Sequence, residues 1–106
     1  MNKNPYRQTN NEYAVVIDPS HGGEDSGQTG NGIIEKDLVL NISNYIYNRL
    51  KELGVPVKII RTTDETVNND ERIKRILEAY GNNTNVIVLS NHTNVGGGES
   101  HCVTNV

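Results

Sequence analysis

A chain of 106 residues with 34% apolar content and neither Trp nor Phe has the size of one compact domain with a core of Val, Ile and Leu. The net charge is −3 and neither sign is segregated, which excludes a basic phosphate-binding face and with it nucleic acid as the main partner. The single cysteine, Cys102, excludes an intrachain disulfide, and no segment has the length of a membrane span or the apolar stretch of a secretory signal.

Residues 1–12 are polar, Asn-rich and without hydrophobic period, so a disordered lead-in is expected there and the folded domain over 13–106. Ala14-Val15-Val16-Ile17, ended by Asp18-Pro19, is the pattern of a strand buried on both faces. Residues 19–34 carry five glycines (22, 23, 27, 30 and 32) and are expected to form one long irregular loop, a type that is often functional. Val39, Ile42, Ile46, Leu50 and Leu53 recur at offsets of three and four, which predicts an amphipathic helix from Lys36 to Leu53 stopped by Gly54, with Glu35 at its entrance. Val55 to Ile60 reads as a second strand, on an edge because of Pro56. Asn68 followed by Glu71 marks the start of a second helix reaching Tyr80, with Ile73, Ile76 and Leu77 facing inward and Arg72, Lys74 and Arg75 on a solvated face. Asn85 to Ser90 is the third predicted strand, after which the chain becomes polar and Gly-rich.

Strand, helix, strand, helix, strand implies an α/β fold of the three-layer type, a parallel-rich sheet with flanking helices. The expected order places the first strand between the other two. Ligands in such sheets bind beyond the carboxyl ends of the strands, where the order reverses. His21 follows the first strand and His92 the third, so the topology brings both to one place, and the Gly-rich loop has the slack to return Glu35 beside them. Each residue alone has an ordinary reading, a surface imidazole or a helix-entry acid favoured by the macrodipole. Together, two His and one carboxylate form a catalytic zinc set, because three protein ligands leave a fourth position open. The competing reading of the loop as a nucleotide-phosphate cradle fails, since neither GxGxxG nor GxxxxGK[ST] is present and Glu24 and Asp25 would stand beside the phosphates.

The segments VVIDPSHGG, GEDSGQTGNGIIEKDLVL, RTTD with Arg72 beyond it, and VIVLSNHTN occur in that order. Over about Tyr13 to Gly98 they resemble the zinc-dependent N-acetylmuramoyl-L-alanine amidases of the Amidase_3 family. The resemblance implies Zn2+ held by His21, Glu35 and His92, and hydrolysis of the amide between N-acetylmuramic acid and L-alanine in peptidoglycan. It further implies supporting roles for Asp18, Asp37 and Asn94, and action at the cell wall, reached without a signal in this chain through phage or cell lysis or a leader absent from it. Ser20 stands where the family usually has Gly, and Gln28 where it often has Ala. The family's general-base glutamate comes from a later segment, so the domain is expected to be incomplete at its C-terminus, completed by a longer parent or a second chain. Within the chain, Glu24 and Glu99 stand near the ligands and His101 and Cys102 in the tail, all four read as solvated loop or frayed-terminus residues. The alternative function is a truncated, non-catalytic module that binds zinc or muropeptides.

Overall fold

The computed structural model describes residues 13–93. The expected lead-in, and Asn94, Glu99, His101 and Cys102, lie outside them. The described residues form β1 (Ala14–Pro19), β2 (Thr29–Gly30), β3 (Ile33–Ile34), α1 (Glu35–Glu52), β4 (Val57–Ile59), α2 (Asn69–Tyr80) and β5 (Val86–Asn91). The main sheet has the order β4-β1-β5, with β1 parallel to both neighbours. The chain steps from β1 to β4 on one side, then back across β1 to β5. Right-handed crossovers therefore put α1 and α2 on opposite faces of the sheet, the three-layer arrangement expected from the sequence. No helix of the described residues is long and apolar enough to cross a membrane.

The core is small and aliphatic. Val16, Ile17 and Val39 are fully buried, with Val57, Ile60 and Val67 nearly so; each such side chain removed from water contributes about 1.5–3 kcal/mol. α1 ends at Leu53 and Gly54, where φ is +80°, a left-handed conformation that glycine takes without steric cost. α2 starts on Asn68, whose side chain accepts a hydrogen bond from Glu71 N at 2.8 Å, the cap read from the sequence.

Two expectations need correction. The first concerns α2: Ile73 is 56% and Leu77 44% exposed, so the helix is rolled relative to the predicted inward face. Arg72 and Arg75 turn toward the sheet ends instead, where Arg72 reaches Asp18 and the Pro19 carbonyl and Arg75 reaches the Ile60 carbonyl. They are not a solvated face, because strand-end carbonyls and a buried carboxylate are better partners for a guanidinium than water alone. The second concerns the loop over 19–34, which contains a hairpin: β2 and β3 pair antiparallel in the register Thr29↔Ile34 and Gly30↔Ile33. Asn31 and Gly32, at φ 53° and 78°, form its two-residue connection, the conformation a type I′ turn requires.

Candidate metal centre

His21 enters the site just beyond the carboxyl end of β1, in a strained conformation with φ +61°. A non-glycine residue persists there only where its surroundings over-determine it. Two guanidiniums do so by binding three consecutive carbonyls. Arg61, 1% exposed, donates to Pro19 O at 3.4 Å and to Ser20 O at 2.9 Å, and Arg72 donates to Pro19 O at 2.8 Å and to His21 O at 3.2 Å. Arg61 also donates to Thr63 O at 2.8 Å and Lys36 O at 3.2 Å. All of these hydrogen bonds from Arg61 go to backbone carbonyls, and burial, with Arg72 nearby, pushes its pKa below the usual guanidinium value. Arg61 is thus the hub joining β1, the entrance of α1 and the segment after β4.

The loop after His21 is tied to that same segment. Gly23 N donates to Asp64 Oδ1 at 2.7 Å and Glu24 N to Thr66 Oγ1 at 2.9 Å. Lys36 Nζ bridges Gly23 O at 2.8 Å and Asp64 Oδ2 at 3.0 Å; these bonds hold the Asp64 carboxyl below the usual carboxylate range. Beyond it, the hairpin delivers the chain to α1: Glu35 N and Lys36 N donate to Gln28 O and Ser26 O. The orphan N–H groups at the helix start are satisfied in this way, although Ile34 at the N-cap has no side-chain bond to give.

Glu35, the first residue of α1, is 2% exposed. Gln28 N donates to its Oε1 and Thr93 N to its Oε2, both at 2.9 Å. These backbone N–H donors give each oxygen of the buried carboxylate a hydrogen-bond partner and fix its orientation. Oε1 lies 3.2 Å from His21 Nε2 and Oε2 3.8 Å from His92 Nδ1. The two imidazoles meet edge to face with centroids 5.5 Å apart. The three donor atoms all lie within 4.8 Å of one another, and His92 remains 46% exposed in its side chain, so the cluster opens toward solvent on that side. Bonds of about 2.0–2.2 Å at tetrahedral angles set donors some 3.3–3.6 Å apart, and the His21–Glu35 and His92–Glu35 separations bracket that spacing. In both donor chemistry and separation, the trio fits a zinc-type ion with an open position.

The surroundings are less fully as expected. Asp18 is buried and accepts from Arg72 and, at 2.8 Å, from Ser90 Oγ, so it fastens α2 and β5 to the end of β1. Asn91 similarly joins β5 to α1 through a 2.7 Å hydrogen bond to the buried Ser43 Oγ. Asp37 is exposed in the first turn of α1, one residue beyond the carbonyl Arg61 grips. Glu24 is exposed and enters the network through its backbone N. Sequence reasoning set Asp25 against a phosphate cradle but not beside His21, whose Nδ1 is 2.9 Å from Asp25 Oδ2; the His21 contact, the main cause, holds the Asp25 carboxyl below its ordinary value. It also passed over the N–H groups of Gln28 and Thr93. Backbone donors leave no mark on residue identity, but an acid four residues after a histidine was visible.

A parallel α/β sheet that brings two imidazoles and a buried carboxylate together at the carboxyl ends of adjacent strands defines the class: an α/β protein with a candidate catalytic-type metal centre. Comparison with known proteins narrows this. The chain belongs to the Amidase_3 family, described as N-acetylmuramoyl-L-alanine amidase, whose match runs over residues 15–104. It is 40% identical over 82 residues to the Bacillus subtilis protein YqiI, covering 77% of this chain and 38% of that protein. It is likewise 40% identical over 86 residues to the sporulation-specific N-acetylmuramoyl-L-alanine amidase of Bacillus subtilis, covering 79% and 32%. Among solved structures, an N-acetylmuramoyl-L-alanine amidase from Clostridium difficile 630 superposes with TM-score 0.69 at 30% identity, over 83% of this chain and 47% of that one. The chain thus spans less than half the length of each of these relatives.

Proposed function

We propose that this chain carries the metal-binding part of a peptidoglycan amidase that hydrolyses the amide joining N-acetylmuramic acid to L-alanine, at the cell wall. The observation that carries the reading is the convergence of His21 Nε2, Glu35 and His92 Nδ1 around one point, in a chain of the amidase family. His21, Glu35 and His92 would hold Zn2+. When bound, the ion would polarise the scissile carbonyl and lower the pKa of its coordinated water toward about 7.

The remaining work falls to the chain's own groups. Gln28 N and Thr93 N hold both oxygens of Glu35 in place, so the ligand carboxylate needs no rearrangement to receive a cation. The clamp of Arg61 and Arg72 fixes the backbone of His21. His92, the most exposed of the three, marks the side from which a glycopeptide would approach. The resemblance assigns the general base to a later glutamate, which is not one of His21, Glu35 and His92; a longer parent or a second chain would be its source.

The test is hydrolysis of a defined muropeptide, read by mass spectrometry as separation of N-acetylmuramic acid from the intact stem peptide. Cleavage abolished by a chelator and restored by zinc supports the reading. A folded, zinc-loaded chain that leaves the amide intact, alone and in its longer parent, favours the alternative of a non-catalytic zinc- or muropeptide-binding module.

A further inference from the structure

Every donor atom of His21 is spoken for before any ion arrives. Nε2 faces Glu35 Oε1 at 3.2 Å, while Nδ1 lies 2.9 Å from Asp25 Oδ2. The position of Asp25 is not left to chance. Its backbone N donates to Gly22 O at 3.0 Å and its O accepts from Gly22 N at 2.8 Å, which closes a tight turn over Gly23 and Glu24 directly after His21. Its second carboxylate oxygen, Oδ1, accepts from Gly27 N at 3.1 Å. The carboxyl is therefore held at both ends although its side chain is 63% exposed.

An imidazole binds a cation only through a nitrogen that carries no proton, and which nitrogen that is depends on the hydrogen bond made by the other. A carboxylate can only accept, so Asp25 on Nδ1 keeps a proton there, while the carboxylate on Nε2 belongs to Glu35, itself one of the three metal-facing groups, and leaves Nε2 as the nitrogen that can exchange its proton for a cation. We infer that Asp25 is a positioning residue: it fixes His21 as the Nδ1–H tautomer and thereby presents Nε2 to the metal position shared with Glu35 and His92. His92 is arranged the opposite way, with Nδ1 toward Glu35 Oε2, so the two histidines use different ring nitrogens. Only His21 has a carboxylate on its far nitrogen among the described residues. The inference rests on the zinc reading for its consequence; because Glu35 Oε1 faces Nε2 in the metal-free chain, the preference imposed by Asp25 is read with that second carboxylate removed.

The variant is Asp25→Asn in the full chain, which keeps the side-chain shape and the exposure but replaces one carboxylate oxygen by an N–H donor that can bond Nδ1 in its unprotonated state. Long-range nitrogen–proton NMR on metal-free Glu35→Ala, labelled at histidine and recorded where the nitrogen shifts themselves show a neutral ring, reads the tautomer with Asp25 as the one carboxylate left at His21. Glu35→Ala is expected to show His21 protonated on Nδ1, and the addition of Asp25→Asn to move the proton population toward Nε2. Zinc affinity, measured by competition with a chromophoric chelator, is expected to fall about 10–100-fold, with the thermal unfolding curve unchanged. Asp25→Glu, which retains the accepting carboxylate, should recover part of both signals. The inference is overturned if Glu35→Ala carries the His21 proton on Nε2, or if adding Asp25→Asn leaves the His21 tautomer unchanged. A parent that binds no zinc sinks the zinc reading instead, while the tautomer measurement still decides the role of Asp25.

Discussion

Gly27 is the position where a single added carbon discriminates most sharply between a built site and an incidental one. Its φ is +68°, and a Cβ placed there would lie 2.7 Å from both Glu35 Oε1 and His21 Cδ2, and 2.9 Å from Glu35 Cβ. Ordinary van der Waals contact begins near 3.4 Å, so Gly27→Ala requires the two ligand side chains or the loop to yield by roughly 0.7 Å. The left-handed backbone adds about 1–2 kcal/mol and the overpacking about 1–3 kcal/mol, together about 2–5 kcal/mol. At some 4–8 °C per kcal/mol for a domain of this size, Tm should fall by about 8–40 °C. Metal sites tolerate ligand displacements of only about 0.2 Å, so zinc affinity should fall as well, by tenfold or more on the scale of disturbed ligand support. Gly32 supplies the control, since its φ is +78° but nothing stands within 4 Å of its Cβ position. Gly32→Ala bears only the backbone strain and should bind zinc as the parent does. Thermal melts and chelator competition on both variants make the assay. Equal zinc affinity in Gly27→Ala and parent, or an equal loss in Gly32→Ala, would refute the claim that the loop is moulded against His21 and Glu35.

Arg61→Met removes a buried guanidinium and leaves the Pro19, Ser20, Thr63 and Lys36 carbonyls without their donor. The lost charge-assisted bonds, offset by the relieved desolvation of the cation, leave a net cost of about 2–4 kcal/mol in urea unfolding; an unchanged midpoint contradicts the hub role. Asn68→Ala deletes the α2 cap and should cost about 1 kcal/mol, seen as a lower denaturation midpoint with the zinc affinity intact. The Glu65 carboxyl is held below its ordinary value chiefly by the hydrogen bond from Arg75, as is that of Glu71. Because the folded pKa values lie below the unfolded ones, the stability they contribute is present above the ordinary carboxylate range and lost as pH falls through the folded values. Tm should hold steady down to about pH 5 and then decline, with a shallower decline in Arg75→Ala; identical acid profiles would remove Arg75 from the account.

The elements that proved legible are those whose burial writes a period into the sequence. Val15, Val16 and Ile17 mark the central strand because a parallel strand covered by helices is apolar on both sides, and the spacing of Val39, Ile42, Ile46 and Leu50 sets α1. The order β4-β1-β5 is the one in which two right-handed crossovers cover both faces of a three-stranded sheet, and it is this order that gathers His21, Glu35 and His92. The hairpin β2–β3 went unread among five glycines although Asn31-Gly32 is the dipeptide a two-residue turn favours; strands of two residues carry no alternation. The roll of α2 was hidden for another reason. Its apolar residues predict one inward face, but Arg72 and Arg75 find carbonyls and Asp18 at the strand ends, and hydropathy treats every arginine as solvent-facing. Arg61 failed in the same way: a buried cation satisfied by backbone oxygens cannot be told from a surface one by composition.

The measurement that bears most directly on the account is zinc content by elemental analysis on the purified chain, beside His21→Ala, Glu35→Ala and His92→Ala, each checked for folding by circular dichroism. The account predicts about one zinc per parent chain, as a three-ligand site requires, and its loss in every variant while the α/β signature persists. A parent chain that stays folded yet takes up no zinc under metal-replete conditions, or variants that retain it, would contradict it.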